Sequence, residues 1–485
     1  VTEERRPISL AAAAAPLGVM LALFIFGLTR LEMSTDLLIL ILLGAALVAG
    51  VIAVSRGRDW LDIQRATGEK LAAVLPAILI LLAIGMLIGT WMLGGTIPAL
   101  VYFGIQLIDP AYFTLTAFLA TALMSLGTGT SWGSAGTMGV ALMGMAGALG
   151  ADPALTAGAV VSGAYFGDKL SPLSDSTNIS ALGAGADLYA HVRHMLYTAV
   201  PSFAVCVVLY LWAGGVEGEG AGAAAALLAE IERVYAPGAV ALLPLLVVVA
   251  GIVTRVPAAL AIGASSLVAV ALGLFRGFSL QHGLESAVLG FRPEMVASRG
   301  FDPGSLDPAF VTLVSRGGMN SMAGTLLVIL AAFLLAGAMD VSGALDRLIS
   351  ALLRSVRSVF GLIAATMAAG ATMIGVTSHG GVTALVVGGL FRDAYRRQGL
   401  APQNLSRSLE DSVTIVEPLM PWTVSAIFMA TTLGVPTVRY LPWAAFCYGG
   451  PVCSLLLAAA YRRSGFGIRR AQGDSRRGDP NQGDA

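Results

Sequence analysis

The chain has 485 residues, of which 56% are hydrophobic and only 12% charged. A soluble domain carries roughly 25% charged residues, so an ordinary soluble globular protein is excluded, and 29 Lys+Arg against 29 Asp+Glu excludes nucleic-acid binding by bulk positive charge. Three cysteines, Cys206, Cys447 and Cys453, all in apolar segments, form neither a disulfide framework nor a metal knuckle.

A bilayer core about 30 Å thick is crossed by roughly 20 apolar residues in a helix. In chain order, near-uncharged runs of that length predict spans near residues 8–29, 36–54 and 72–93, with Arg5 and Arg6 ahead of the first. That first run is too long for a signal peptide and another follows at once, so it reads as a retained helix. Charged, amphipathic stretches at 56–70 and 276–300 read as connectors lying at the membrane interface. Residues 111–150 read as a hairpin or paired half-helices, 151–182 as an interrupted span and 195–213 as a clean one. Further clean spans are expected near 238–254, 257–275, 320–339 and 438–460. Many of the 59 glycines interrupt these segments, where glycine allows close helix packing or breaks the helix.

The segment Thr130-Ser131-Trp132-Gly133 is echoed by Thr377-Ser378-His379-Gly380, 247 residues on, and Pro172-Leu173 by Pro418-Leu419, 246 residues on. Flanking spans follow the same shift, which argues for an internal duplication. Cytoplasmic loops collect Lys and Arg. The connectors near Ile108–Pro110 and Gly150–Pro153 carry no basic residue, whereas their second-half partners carry Arg354 and Arg357, and Arg392, Arg396 and Arg397. Conversely, Arg56, Arg58, Arg65 and Lys70 correspond to a mixed-charge loop over 276–319. The halves therefore read as oppositely oriented. The expected organisation is membrane repeat 1 over residues 1–213, an extracytoplasmic linker over 214–236, an inverted membrane repeat 2 over 237–461 and a disordered cytoplasmic tail over 462–485. Both termini are then cytoplasmic, with Arg462, Arg463, Arg469 and Arg470 inside. The expected fold class is an all-α polytopic membrane protein with two inverted-topology repeats, each holding a hairpin and discontinuous helices. This is the architecture of secondary transporters, whose sites form at helix breaks near the bilayer midplane.

The polar residues concentrate at those breaks. Residues 127–137 are rich in glycine and hydroxyls, and residues 162–178 add Asp168, Lys169, Ser171, Pro172, Ser174, Asp175, Thr177 and Asn178 within apolar surroundings. Charges are costly inside a membrane and are usually kept for a task. Sodium, a hard cation, wants oxygen ligands, and a carboxylate that takes either Na⁺ or H⁺ exchanges one for the other. The competing structural reading has Ser and Thr bonding back to helix carbonyls. Lys169 either holds Asp168 or Asp175 charged or snorkels to the interface. His379 reads as a hydrogen-bonded packing residue, with a pH sensor as the alternative. Glu410 and Asp411 read as a solvated pair at the cytoplasmic entrance, whereas Glu417, followed by Pro418 and Pro421, lies in an apolar run. No phosphate loop, HExxH or GxSxG motif is present, so no enzyme chemistry and no cofactor is expected.

The runs GTSWGSAGTMG near 127–139, AGAVVSGAYFGDKLSPLSDSTNIS at 157–180 and LSRSLEDSVTIVEPLMPW at 405–422 resemble the NhaC family of Na⁺/H⁺ antiporters, within the ion transporter superfamily. The resemblance extends over nearly all of the chain except the tail. Two positions depart from the family pattern: Glu417 before Pro418-Leu419, and Thr423 after Pro421-Trp422. It implies a cytoplasmic-membrane secondary transporter exchanging Na⁺ for H⁺ by alternating access. Asp168 and Asp175 are then the titrating ligands, Ser171, Ser174, Thr177 and Asn178 the neutral oxygens, and Thr130, Ser131, Ser378, Asp411 and Glu417 approach from the facing breaks. Some relatives exchange organic anions such as malate and lactate, so a Na⁺- or H⁺-coupled carboxylate antiporter is the alternative and a passive channel a third. The expected partners are Na⁺, H⁺ and the bilayer, with no nucleic acid; a homodimer is left open.

Overall fold

The computed structural model describes residues 8–31, 34–214, 221–254, 256–354 and 358–471, so Arg5, Arg6, Arg357 and the chain after Ala471 lie outside the described residues. Helices α1 (Leu10–Arg30) and α2 (Thr35–Ser55) begin where Ser9 and Ser34 accept a hydrogen bond from the backbone N–H three residues on. Next come α3 (Trp60–Leu93) and α4 (Thr96–Leu107). The predicted hairpin is α5 (Phe113–Thr128), then α6 (Ser131–Ser134), a π turn over Ala135–Gly139 and α7 (Val140–Leu149). The interrupted span is α8 (Pro153–Leu170) and α9 (Asp175–Ala184), followed by α10 (Leu188–Ala213).

The second half holds α11 (Ala221–Tyr235), α12 (Leu243–Val253), α13 (Ala258–Phe275), α14 (Leu280–Leu289), α15 (Pro308–Val314) and α16 (Ala323–Val341). Then come α17 (Ala344–Arg354), the second hairpin α18 (Val359–Thr377) and α19 (Gly380–Arg397), and the second interrupted span. That span is α20 (Pro402–Leu409), a π turn over Glu410–Thr414, a short turn over Glu417–Leu419 and α21 (Val424–Leu433). Helices α22 (Thr437–Tyr440) and α23 (Ala445–Ser464) complete it. Eight helices are long and apolar enough to cross a bilayer, or eleven if each of three bent pairs counts as one span, and no strand forms among the described residues. The chain is an all-α polytopic membrane protein. Spans two and three of each half pack across the halves, α2 on α16 and α3 on α13, while α5 packs on α8 and α10 on α23.

Several expectations change. The stretch at 56–70 is no separate interfacial helix: the side chains and backbones of Asp59 and Asp62 cap one another, and from Trp60 a helix of 34 residues runs on without a break. At 1.5 Å per residue such a helix is about 51 Å long, well beyond the apolar core. The linker expected over 214–236 contains α11, whose Leu227, Ile231, Val234 and Tyr235 are buried. The span at 438–460 is bent by 56° between Trp443 and Ala445. Past Arg462 the chain stays folded to Ala471, because Ala401 N donates to Arg469 O at 3.0 Å and Arg407 Nη1 to Gly467 O at 2.5 Å.

The backbone also resets the register of the repeat. Each hairpin turns through a left-handed residue, Gly129 (φ 68°) or Ser378 (φ 55°), before the N-caps Thr130 and His379. The restart of each interrupted span is capped by Ser174 or Thr423. All three pairs lie 249 residues apart (423 − 174 for the last), not 246 or 247. Matching letters align Pro172 with Pro418, but matching caps align it with Pro421, and Asp168 with Glu417.

Candidate cation site

Helix α8 lies in the middle of the protein and is buried on nearly every side. It gets there because its glycines let α5 approach: a Cβ on Gly167 would stand 2.5 Å from Ala122 O and 2.6 Å from Ser125 Cβ. Polar groups on α8 must therefore find partners inside the protein. Ser162 Oγ accepts from the Tyr210 hydroxyl at 2.7 Å. In the last turn of the helix come Asp168 and Lys169, both buried.

The break after α8 leaves carbonyls without helical partners, and the side chains predicted as neutral ligands satisfy them. Thr177 Oγ1 donates to Asp168 O at 3.2 Å and Lys169 O at 3.1 Å. Asn178 Nδ2 donates to Pro172 O at 3.0 Å and Ser174 O at 2.7 Å. Ser174 Oγ accepts from Thr177 N at 3.4 Å, and Ser171 Oγ from Leu173 N at 3.3 Å. These four residues build the break, and the Ser174 hydroxyl also stands beside the Asp168 carboxylate. Asp175 is exposed in the first turn of α9, where a carboxylate favours the helix dipole, and stands outside the buried group.

Asp168 faces the first hairpin. Thr130 Oγ1 accepts from Gly133 N at 3.2 Å, capping α6, and the next residue, Ser131, donates its hydroxyl to Asp168 Oδ2 at 3.0 Å. The hairpin tip lies directly on the break, since a Cβ on Gly129 would stand 2.8 Å from the backbone of Leu173. The second half repeats this contact. Ser378 Oγ donates to Trp422 O at 3.4 Å, and a Cβ on Gly380 would stand 2.8 Å from Glu417 Oε2. Glu417 is buried at its own break as Asp168 is at the first. His379 caps α19, its Nδ1 accepting from Val382 N at 3.3 Å, as the hydrogen-bonded reading expected.

Lys169 neither joins Asp168 or Asp175 nor reaches the interface. Its ammonium is paired with Asp411 of the second interrupted span, and neither side chain has any exposed surface. Lys169 Nζ also donates to Thr198 Oγ1 at 3.2 Å. The Asp411 carboxylate accepts from Thr198 Oγ1 at 3.3 Å and from Ser454 Oγ at 2.6 Å. Four elements meet here, and Asp411 is saturated by its partners. Among the predicted ligands, Asp168 and Ser131 are brought together, Glu417 and Ser378 sit at the mirrored break, and Asp411 is committed to Lys169.

Glu410 was read from sequence as one of a solvated pair; it is wholly buried. The π turn over Glu410–Thr414 widens the helix just where Glu410 and Asp411 enter the interior. Neither carboxylate oxygen of Glu410, nor the adjacent Ser180 Oγ, makes a hydrogen bond among the described residues. No sequence signal announced this, since the run is polar in composition, yet every residue from Asn404 to Ile415 is buried. The arrangement as a whole is a set of internal carboxylates at two facing breaks, suited to holding a hard cation or a proton and to releasing either when a break moves.

Comparison with known proteins agrees with this chemistry. A model of the Na⁺/H⁺ antiporter family matches residues 7–187 and 163–460, two matches that overlap on the end of α8 and on α9. An uncharacterized Na⁺/H⁺ antiporter of Haemophilus influenzae is 43% identical over 96% of this chain and 98% of its own length. The Na⁺/H⁺ antiporter NhaC of Alkalihalophilus pseudofirmus is 34% identical over 94% of this chain and 96% of its own. A malate-2H⁺/Na⁺-lactate antiporter of Bacillus subtilis is 31% identical over 89% and 90%, respectively. The chain belongs to the Na⁺/H⁺ antiporter family.

Proposed function

We propose that the protein exchanges Na⁺ for H⁺ across the cytoplasmic membrane by alternating access, with Asp168 and Ser131 as the centre of the cation site. The observation that carries this reading is the buried Asp168 carboxylate, placed at a helix break and met by the Ser131 hydroxyl at 3.0 Å. An empty, charged carboxylate at that depth costs several kcal/mol. The unit made of hairpin and broken helix therefore moves readily with Na⁺ bound or with the carboxylate protonated, and poorly with neither. That restriction is what couples the two ions. Glu417, its counterpart at the second break, and Glu410 are the further carboxylates through which charge is balanced.

The proposed topology has two oppositely oriented repeats, residues 1–213 and 237–461, with both termini cytoplasmic. It is supported by the Lys70–Asp340 pair at 2.9 Å, which joins the two segments assigned to the cytoplasmic side. In everted vesicles, Na⁺ is expected to dissipate a respiration-generated ΔpH. Asp168→Asn should abolish that response, while Asp175→Asn should retain it. Exchange that survives Asp168→Asn overturns the assignment. The named activity of the Bacillus subtilis relative supports a second reading, coupled carboxylate exchange, which counterflow of labelled malate in proteoliposomes tests separately.

A further inference from the structure

The two halves differ where α3 passes as one helix and its second-half counterpart is divided into α15, a loop and α16. That loop, Ser315-Arg316-Gly317-Gly318, is pinned to α3. Gly318 N donates to Gly85 O at 2.7 Å, and Gly317 abuts α3 so closely that a Cβ on it would stand 2.3 Å from Gly89 N. Gly317 and Gly318 take φ of 87° and 86°, a conformation cheap only for glycine. Arg316 is thus presented by a rigid loop.

It lines a cavity of about 430 Å³ whose polar side includes Arg316, Arg292, Ser321 and Thr432 and whose apolar side includes Ile88 and Phe291. Arg292 is already paired with Glu285 at 3.1 Å. The Arg316 guanidinium has no ion pair and no hydrogen bond among the described residues, and the other guanidinium of the cavity, Arg292, carries the same charge. Thr432 Oγ1 is buried and also has no hydrogen-bond partner. A cation fork without a counter-charge, in a cavity with an orphan hydroxyl, matches an anion that accepts two parallel hydrogen bonds. The apolar side and the size match an organic molecule better than a small inorganic ion. Ser321 and Gly434 are shared with an adjoining cavity of about 570 Å³ that extends to Pro421, so the space reaches the second helix break.

We propose that this cavity binds a small organic carboxylate, with Arg316 as its bidentate anchor and Thr432 as a second donor. The site is separate from the Asp168 centre and does not depend on it. The test is calorimetric titration of the purified full chain in nanodiscs with L-malate, L-lactate and inorganic phosphate. The wild type is expected to bind at least one of the two carboxylates. Arg316→Gln should weaken that binding by about tenfold or more, Arg316→Lys should recover only part of it, and Thr432→Val should weaken it less than Arg316→Gln. Melting temperatures of the variants show whether each is folded, and Arg316→Lys and Thr432→Val carry the test if Arg316→Gln is not. Failure of the wild type to bind either carboxylate, undiminished binding by Arg316→Gln, or phosphate binding as tightly as both carboxylates overturns the proposal. Na⁺-driven ΔpH dissipation in carboxylate-free buffer reports on the cation reading alone, so the two fail separately.

Discussion

The Ser131 hydroxyl reaches Asp168 from a different element, so removing it takes one oxygen from the proposed cation site and leaves the carboxylate in place. One such bond is worth about 1 kcal/mol. Ser131→Ala should therefore raise the Na⁺ concentration for half-maximal exchange about fivefold, and Ser131→Thr should restore it. An unchanged value would place Ser131 outside the site. The Lys169–Asp411 pair makes a different demand. Both charges are wholly buried, so removing one strands the other, at a cost of about 3–5 kcal/mol. Lys169→Ala should lower the melting temperature of the purified protein strongly, whereas replacing both by apolar residues, Lys169→Met with Asp411→Leu, should recover most of the loss. If the single and double variants melt alike, the pair does not contribute in this way.

Among the elements, α8 depends on its contact with α5. Gly167→Ala sets a methyl group against Ala122 O and Ser125 Cβ and should destabilise by about 1–3 kcal/mol. Gly127→Ala, at the exposed end of α5 with nothing within 4 Å, should be tolerated or mildly stabilising. Thermal unfolding of the two variants in one detergent makes the comparison. Most clean spans, both hairpins and both interrupted spans were legible in the sequence because uncharged runs, glycines and prolines report local conformation directly, whereas the run expected to span at 238–254 is one limb of a pair bent by 93° and that at 438–460 is bent by 56°. Three further features were not legible. The continuity of α3 rests on the Asp59–Asp62 cap, which a charge-based reading takes for an interfacial stretch. The repeat register rests on caps, and Ser378 stands where Gly129 stands in the first half, so letters mislead. At the candidate site, Asp168 and Ser131 were anticipated, but the partner of Lys169 lies 242 residues away, and Glu410 gave no sign of burial without its neighbours. Residue type and spacing report the need of a polar group for a partner; only packing says which partner it finds.

For the whole molecule, the proposed topology places the basic connectors of the two halves on one side. Under the proposed topology Gln106, after the first long spans, is extracytoplasmic and Arg397, after the second hairpin, is cytoplasmic; both are exposed. Gln106→Cys should react with a membrane-impermeant maleimide in intact cells, and Arg397→Cys only in everted vesicles. The native cysteines interfere little, since Cys206 and Cys447 are buried and Cys453 is half-buried. Reaction of both from the same side would exclude oppositely oriented repeats. The Lys169–Asp411 pair has a consequence at this scale as well. It fastens the interrupted span of one half to that of the other, and through Thr198 and Ser454 to the closing helix of each. A fastener of that kind acts as a mechanical latch: neither break can yield while the other holds. The molecule should then switch between its two faces in a single concerted stroke, and a fluorophore at either break should relax with the same single rate constant.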